Sequence, residues 1–254
     1  MRDSTGAVKS AAFRRTSLSR GRGSPVDSRM LMVAPDFLIH DAPAPVLRFI
    51  NSLVPLWTCA DAEGWRLDLS AVGYLGPDAA ALIYAAWLRA RTSGTCAEIV
   101  LPSEPEKLRA FCWFSGLEHY LQHGRRPQPD HPECETVPLH HFHQVSFSHA
   151  ARVSDLVRRH QESLSADQEF YLQSAVNEVM QNIEDHAESN VGGILCARYM
   201  SGTKQVRVAV VDHGIGIGAA LRREARPDIT DEEGLKSVFR GRLTPQRQIS
   251  SRIA

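Results

Sequence analysis

Glu178, Asn182 and the pair Asp185-His186 fall at i, i+4 and i+7 or i+8 within Asn177-Glu-Val-Met-Gln-Asn-Ile-Glu-Asp-His-Ala187. On a helix of 3.6 residues per turn that spacing lines a carboxylate, a carboxamide, an acid and an imidazole along one face. Farther on comes Asp212-His-Gly214-Ile-Gly216-Ile-Gly218. An acid at a strand end can accept a hydrogen bond from a neutral exocyclic amine such as that of adenine, while loop amides face the rest of a ligand. The glycines permit positive φ and let a ligand approach the backbone without meeting a Cβ. Together the two segments suggest a pocket for Mg-ATP.

These residues need elements to hold them. Leu172, Ala175, Val176, Val179, Met180 and Ile183 recur at helical spacing, so they are expected to pack the helix against a sheet and leave the polar stripe at a rim or cavity. Val206-Arg-Val-Ala-Val-Val211 is a β-branched run suited to a buried strand that delivers Asp212. Gly193-Ile-Leu-Cys-Ala-Arg-Tyr199 supplies another strand between the two segments. Alone, Asp-x-Gly-x-Gly is a common steric device at strand-turn-helix junctions. The upstream helix and the intervening strand give it weight.

Glu-x-x-x-Asn-x-x-x-His-Ala followed by Asp-x-Gly-x-Gly resembles the N box and first glycine box of the GHKL (Bergerat-fold) ATPases. That superfamily holds histidine kinases, gyrase-type ATPases and bacterial anti-sigma-factor serine kinases, and the His-Ala ending most resembles the last branch. By position, the resemblance implies that Asn182 ligates Mg2+, Asp212 recognises adenine, and Gly214 and Gly216 shape the pocket wall. Asp185, His186 and Gly218 complete the nucleotide-contacting set, with His186 read as a hydrogen-bonding residue. Glu178 takes the role of general base or water-orienting carboxylate, which suits phosphoryl transfer. Family members continue past an ATP lid into a second glycine-rich box that cradles the phosphates. Thr230 to Pro245 resembles the lid entrance, but Gln246 to Ala254 carries no glycine. The expectation is therefore a C-terminally truncated or degenerate ATP-binding domain.

Lys plus Arg and Asp plus Glu both number 29 in 254 residues, so the formal charge is zero and no direct nucleic-acid partner is implied. Five cysteines, Cys59, Cys96, Cys112, Cys134 and Cys196, are scattered without a close pair, which fits a reducing cytoplasm. The longest apolar run, Ala79 to Leu88, falls short of the roughly 20 residues a bilayer needs and reads as a core helix. No membrane association is expected. Residues 1–33 carry Lys9 and six arginines against Asp3 and Asp27 with few large apolar side chains, and are expected to form a disordered basic tail, with Met30 or Met32 as alternative starts.

Residues 34–122 alternate strand and helix, which argues for an α/β layer. Trp65 to Ser70 and Ala97 to Leu101 read as strands, and Gly76-Pro77-Asp78 opens a helix over Ala79 to Arg91. Ser103-Glu-Pro-Glu106 reads as a capping box for a helix reaching Gly116. The stretch Leu67-Asp-Leu-Ser-Ala-Val-Gly-Tyr-Leu-Gly-Pro-Asp-Ala-Ala-Ala-Leu82, with Phe114-Ser-Gly-Leu117, resembles the STAS domain of anti-sigma-factor antagonists. Where signalling members place a phosphorylatable hydroxyl, this chain has Gly76-Pro77-Asp78-Ala79. The resemblance then implies a docking surface in which Asp78 supplies a constitutive charge.

Residues 123–138 hold Pro127, Pro129, Pro132 and Pro138 and read as a stiff linker into an ATP-binding domain over 139–254. Beside it, His131, Cys134, His140, His141 and His143 match no zinc template, and His141 and His143 alternate as on a strand. The expected fold is α/β (α+β), a STAS-like domain followed by a partial Bergerat-fold sandwich. The expected function is that of an anti-sigma-type serine/threonine kinase using ATP and Mg2+. Its partner would be a sigma factor, an anti-sigma antagonist or a similar regulator, with a homodimer left open. The alternative is a catalytically silent scaffold. A sensor histidine kinase would need a dimerising hairpin with a phosphoacceptor histidine, for which the Pro-rich stretch leaves no room.

Overall fold

The computed structural model describes residues 30–33, 37–38, 64–124, 135–161, 163–224 and 227–239. It is a mixed α/β fold built from two three-stranded sheets, a two-stranded ladder and, among the described residues, seven helices. Residues 1–29, most of the Pro-rich stretch with His131 and Cys134, Cys59, and Gln246 to Ala254 lie outside the described residues.

The first sheet is parallel, with β3 (Trp65–Asp68) between β1 (Met30–Val33) and β5 (Ala97–Val100). The strand β1 corrects the expected tail: Met30-Leu-Met-Val33 is apolar and pairs residue for residue with Trp65 to Asp68. A short ladder joins β2 (Phe37–Leu38) to β4 (Tyr74–Leu75). Helix α1 (Pro77–Thr92) starts where expected, with proline at its first position and Asp78 in its first turn. Of its 16 residues 11 are buried, so it is covered on all sides, as a helix without a polar face must be.

The capping box expected at Ser103-Glu-Pro-Glu106 does not form. Pro105 is the N-cap, extended at φ −72 and ψ 160 without a side-chain cap, and its carbonyl accepts from Leu108 and Arg109 N–H at 2.9 and 3.2 Å. Helix α2 therefore runs only from Glu106 to Phe114. Gly116 at φ 76 then turns the chain into a separate helix, α3 (Leu117–His123), because a left-handed residue ends one helix before the next begins.

The second sheet is antiparallel, in the order β6 (Thr136–Phe142), β7 (Gly193–Met200), β8 (Gln205–Asp212). Strand β6 opens at Thr136, inside the stretch read as linker. Pro138 is tolerated because β6 is an edge strand whose register with β7 shifts between Val137 and His140. Two helices cover one face, α4 (Phe147–His160) and α5 (Ala166–His186), and α1 packs on the other against β7 and β8. Strand β7 alternates accordingly. Leu195 and Ala197 enter the core with Val153, Leu156, Val176 and Met180, and Ile194 and Cys196 enter the core with Ile83, Tyr84 and Trp87.

The α1 layer is tied to the second sheet by polar contacts as well. Leu139 N–H donates to Ser115 C=O at 2.8 Å, the Tyr120 hydroxyl donates to Leu139 C=O at 3.3 Å, and the Arg198 guanidinium lies 4.4 Å from the Phe111 ring centroid. Burial pushes the Cys112 thiol up to about 12, so it packs as a small apolar group and is no nucleophile at neutral pH. Among the described residues no helix is long and apolar enough to cross a membrane.

Leu139 is fully buried where the two layers meet. Leu139→Ala is expected to lower unfolding free energy by about 2 to 5 kcal/mol, read from denaturant midpoints by both tryptophan fluorescence and circular dichroism. Two separate midpoints, with only one displaced, would contradict the shared core.

Asp78 is half-buried, and one carboxylate oxygen has no hydrogen-bond partner. Burial raises its pKa above 3.8, opposed by the backbone N–H groups at Ala79 and Asp78 and by Arg207. The folded state thus binds the proton more tightly than the unfolded chain, and stability falls as pH rises through the window from 3.8 to the raised value. Asp78→Asn should therefore melt higher than wild type at pH 7, and the difference should vanish toward pH 3.

Candidate functional site

Helix α5 is built to deliver its polar row. Ser165 and Gln168 form a reciprocal capping box, with Gln168 N–H donating to Ser165 Oγ at 3.2 Å and Ser165 N–H to Gln168 Oε1 at 2.9 Å. Val176, Met180 and Ile183 are buried in an i, i+4, i+7 stripe against the sheet. Ala175 and Val179 do not join it, contrary to expectation; Val179 is 48 % exposed. The contact stripe is one residue wide per turn, and both side chains fall outside it at 100° per residue. Glu178 and Asn182 lie on that outer face, exposed, whereas Asp185 and His186 are half-buried near the helix end.

Asp212 ends β8 opposite Gly193, as the β-branched run requires. Its Oδ1 accepts the Gly214 N–H at 2.7 Å, so the acid folds back on its own loop. Ile215 N–H donates to Ala187 C=O at 2.8 Å, which fastens the glycine loop to the residue that ends α5. Gly214 is required by that approach, since a Cβ there would sit 2.1 Å from the Ala187 oxygen. Gly216, at φ +76, meets no steric obstacle and serves by its backbone conformation, opening helix α6 (Gly216–Glu224). A Cβ on Gly218 would lie 2.0 Å from Asp231 Oδ1, so this glycine lets α6 pack on α7 (Asp231–Phe239) instead of facing a ligand.

The end of α5 and the glycine loop meet at one cavity of about 280 Å3, lined by Asp185, His186, Glu188, Ile215, Ala220 and Arg223. Glu178, Asn182 and Asp212 stand outside that lining. A second cavity, about 370 Å3, lies on the other side of Glu188, beneath Phe142, His143 and Glu184. Glu184 there is already engaged, its Oε2 accepting the Val145 N–H at 2.7 Å. The smaller cavity joins both motifs and is the candidate site.

Several residues that shape it carried no recognisable spacing. Ser189 Oγ donates to Gly192 C=O at 2.7 Å and accepts from His213 N–H at 3.3 Å, bridging the start of β7 to the glycine loop. Glu188, at φ +50, ion-pairs with Arg223 across the cavity. Arg222 instead bonds Asp231 at 2.7 Å and Ile229 C=O at 3.2 Å, bracing α6 against α7. Thr230 and Glu233 cap α7 reciprocally, Glu233 N–H donating to Thr230 Oγ1 and Thr230 N–H to Glu233 Oε2. Burial, then the Arg89 charge from α1, holds the His213 imidazole below its ordinary pKa, so His213 is neutral at pH 7.

The histidines near β6 are placed individually. His141 Nε2–H donates to Val191 C=O at 2.6 Å, and burial lowers its pKa. His140 lies against His149 with ring centroids 4.1 Å apart. Among the described residues no group of three or more His, Cys, Asp or Glu side chains could hold a metal ion. Comparison with protein-family models, with curated proteins and with solved structures gave no match.

Gly214→Ala forces a Cβ onto a backbone oxygen and is expected to cost about 1 to 3 kcal/mol and detach the loop. Gly216→Ala strains φ alone and should cost about 1 to 2 kcal/mol. Amide hydrogen exchange at Ile215 separates the two: Gly214→Ala should abolish protection there and Gly216→Ala should retain it.

Proposed function

We propose that this chain binds an adenine nucleotide with Mg2+ in the cavity where α5 ends against the glycine loop, and that it acts as a cytoplasmic protein serine/threonine kinase of the anti-sigma type. One observation carries the reading. Two motifs that are far apart in sequence close on a single cavity through the bond from Ile215 N–H to Ala187 C=O. The half that precedes them, read as STAS-like, abuts the sheet that bears both motifs, an arrangement suited to a signalling module with a Bergerat-type nucleotide site.

Magnitude assigns parts of the ligand. Ligand sites usually enclose roughly 300 to 1,000 Å3, and a cavity of about 280 Å3 takes a nucleobase while leaving the phosphates outside. His186 and Ile215 would flank the base, whose exocyclic amine would reach past the cavity lining to the second oxygen of Asp212, the first being held by Gly214 N–H. Phosphates leaving the cavity would run along the exposed face that bears Asn182 and Glu178. The carboxamide oxygen of Asn182 suits Mg2+, which keeps several waters and takes few protein ligands beside phosphate. Glu178 would accept the proton of a partner hydroxyl as its oxygen attacks the γ-phosphorus and the bond to the ADP oxygen breaks.

The silent-scaffold reading has an observation of its own. Phe170 and Tyr171 stand 66 % and 71 % exposed on α5, an aromatic pair of the kind enriched at protein contacts. Asp212→Asn discriminates: it should abolish calorimetric ATP binding if the pocket works as proposed, whereas partner binding indifferent to both ATP and Asp212→Asn marks a scaffold. Glu178→Ala should leave the ATP Kd within about threefold while slowing phosphate transfer to a partner by about 100-fold or more. Unaltered transfer removes Glu178 from the base role.

A further inference from the structure

Arg223 is the one guanidinium lining the candidate cavity among the described residues, and both carboxylate oxygens of Glu188 hold it. The pair spans the cavity from the chain just after α5 to the last turn of α6. Glu188 adopts a left-handed backbone, φ +50, at the position just after the C-cap Ala187 where it ends α5. Folding stability does not explain the ion pair it makes from there. The side chains are 63 % and 53 % exposed, and exposed ion pairs add little to folding. Neighbouring Arg222 already performs the bracing role through Asp231 and Ile229, and among the described residues Glu188 is the partner of Arg223.

A guanidinium donates to carboxylate and to phosphate oxygens alike, and a phosphate can engage two of its nitrogens where Glu188 engages one. We propose that Arg223 is the anion-recognition residue of this cavity and that Glu188 is its internal counter-ion, a carboxylate whose two oxygens both take Arg223 Nη1 until a nucleotide phosphate displaces them. The ion pair sets a threshold, because a ligand must compete with a tethered carboxylate before it gains the arginine. This inference rests on the nucleotide reading and extends it to the phosphate end.

The test is calorimetric titration of the full chain and of Arg223→Ala, Arg223→Lys and Glu188→Gln with adenosine, ADP and ATP in Mg2+, and with tripolyphosphate, which has no base. Arg223→Ala should weaken ADP, ATP and tripolyphosphate by about tenfold and leave adenosine unchanged, and Arg223→Lys should recover only part of the loss. Glu188→Gln should tighten the same three ligands by about threefold, since it removes the competitor. Circular dichroism verifies that each variant is folded. Equal loss of adenosine binding in Arg223→Ala, or unchanged ATP binding in both Arg223→Ala and Glu188→Gln, overturns the proposal while sparing the nucleotide reading. Tripolyphosphate binding that depends on Arg223, in a chain that takes up no adenosine or ATP, keeps the anion site and overturns the nucleotide reading. A wild-type chain that binds none of the four overturns both.

Discussion

Strand β7 is buried on both faces from Gly193 to Ala197, and the rest of the architecture follows from satisfying both. Its odd-numbered side chains, Leu195 and Ala197, need the α4–α5 layer. Its even-numbered ones, Ile194 and Cys196, need α1. A two-residue period forbids one layer from serving both sets, so the sheet must be sandwiched between helices from the two halves of the chain. The small residues of α1, Ala79 to Ala81, Ala85 and Ala86, all buried, let that helix approach the sheet closely. Large side chains at those positions would hold the layers apart and leave voids that a close-packed interior does not tolerate.

The candidate site grows from the same constraint. With β7 held between β6 and β8, the end of β8 and the end of α5 are brought to one edge, where Asp212 pairs in register with Gly193. There the Ala187 carbonyl, left without a helical partner at the end of α5, takes the Ile215 N–H. That bond spends an orphan acceptor to anchor the glycine loop, and it permits no side chain on Gly214. The Glu188–Arg223 ion pair completes the rim, while Ser189 ties the glycine loop to the start of β7. Behind it, Arg89 of α1 reaches the environment of His213, so the first half of the chain influences the loop electrostatically as well as by packing.

How far the sequence reveals this differs by element. The helix ending at His186, the strand before Asp212 and the helix after Pro77 are plain because period and punctuation agree: apolar residues at helical spacing, a β-branched run ending at an acid, and proline opening an apolar stretch. Boundaries were less plain where proline acted in two ways. Pro105 displaced the start of α2 from Ser103, and Pro138 disguised the start of β6 as linker. Local pattern also overstated the core of α5, since hydrophobic spacing names a face without saying how wide the contact will be, and Val179 was left in solvent.

Read alone, the chain settled what is local: where the long helix before Ala187 and the strand before Asp212 lie, and which acid stands at a strand tip, because each depends on neighbours within a turn or two. Folding settled what is collective. It decided that α1 belongs to the sheet of the second half, that Asp185 and His186 face the cavity while Glu178 and Asn182 face solvent, and that Glu188 meets Arg223 across 35 positions of sequence. No periodicity encodes such pairings, since they arise from how layers stack once every buried face has found a cover.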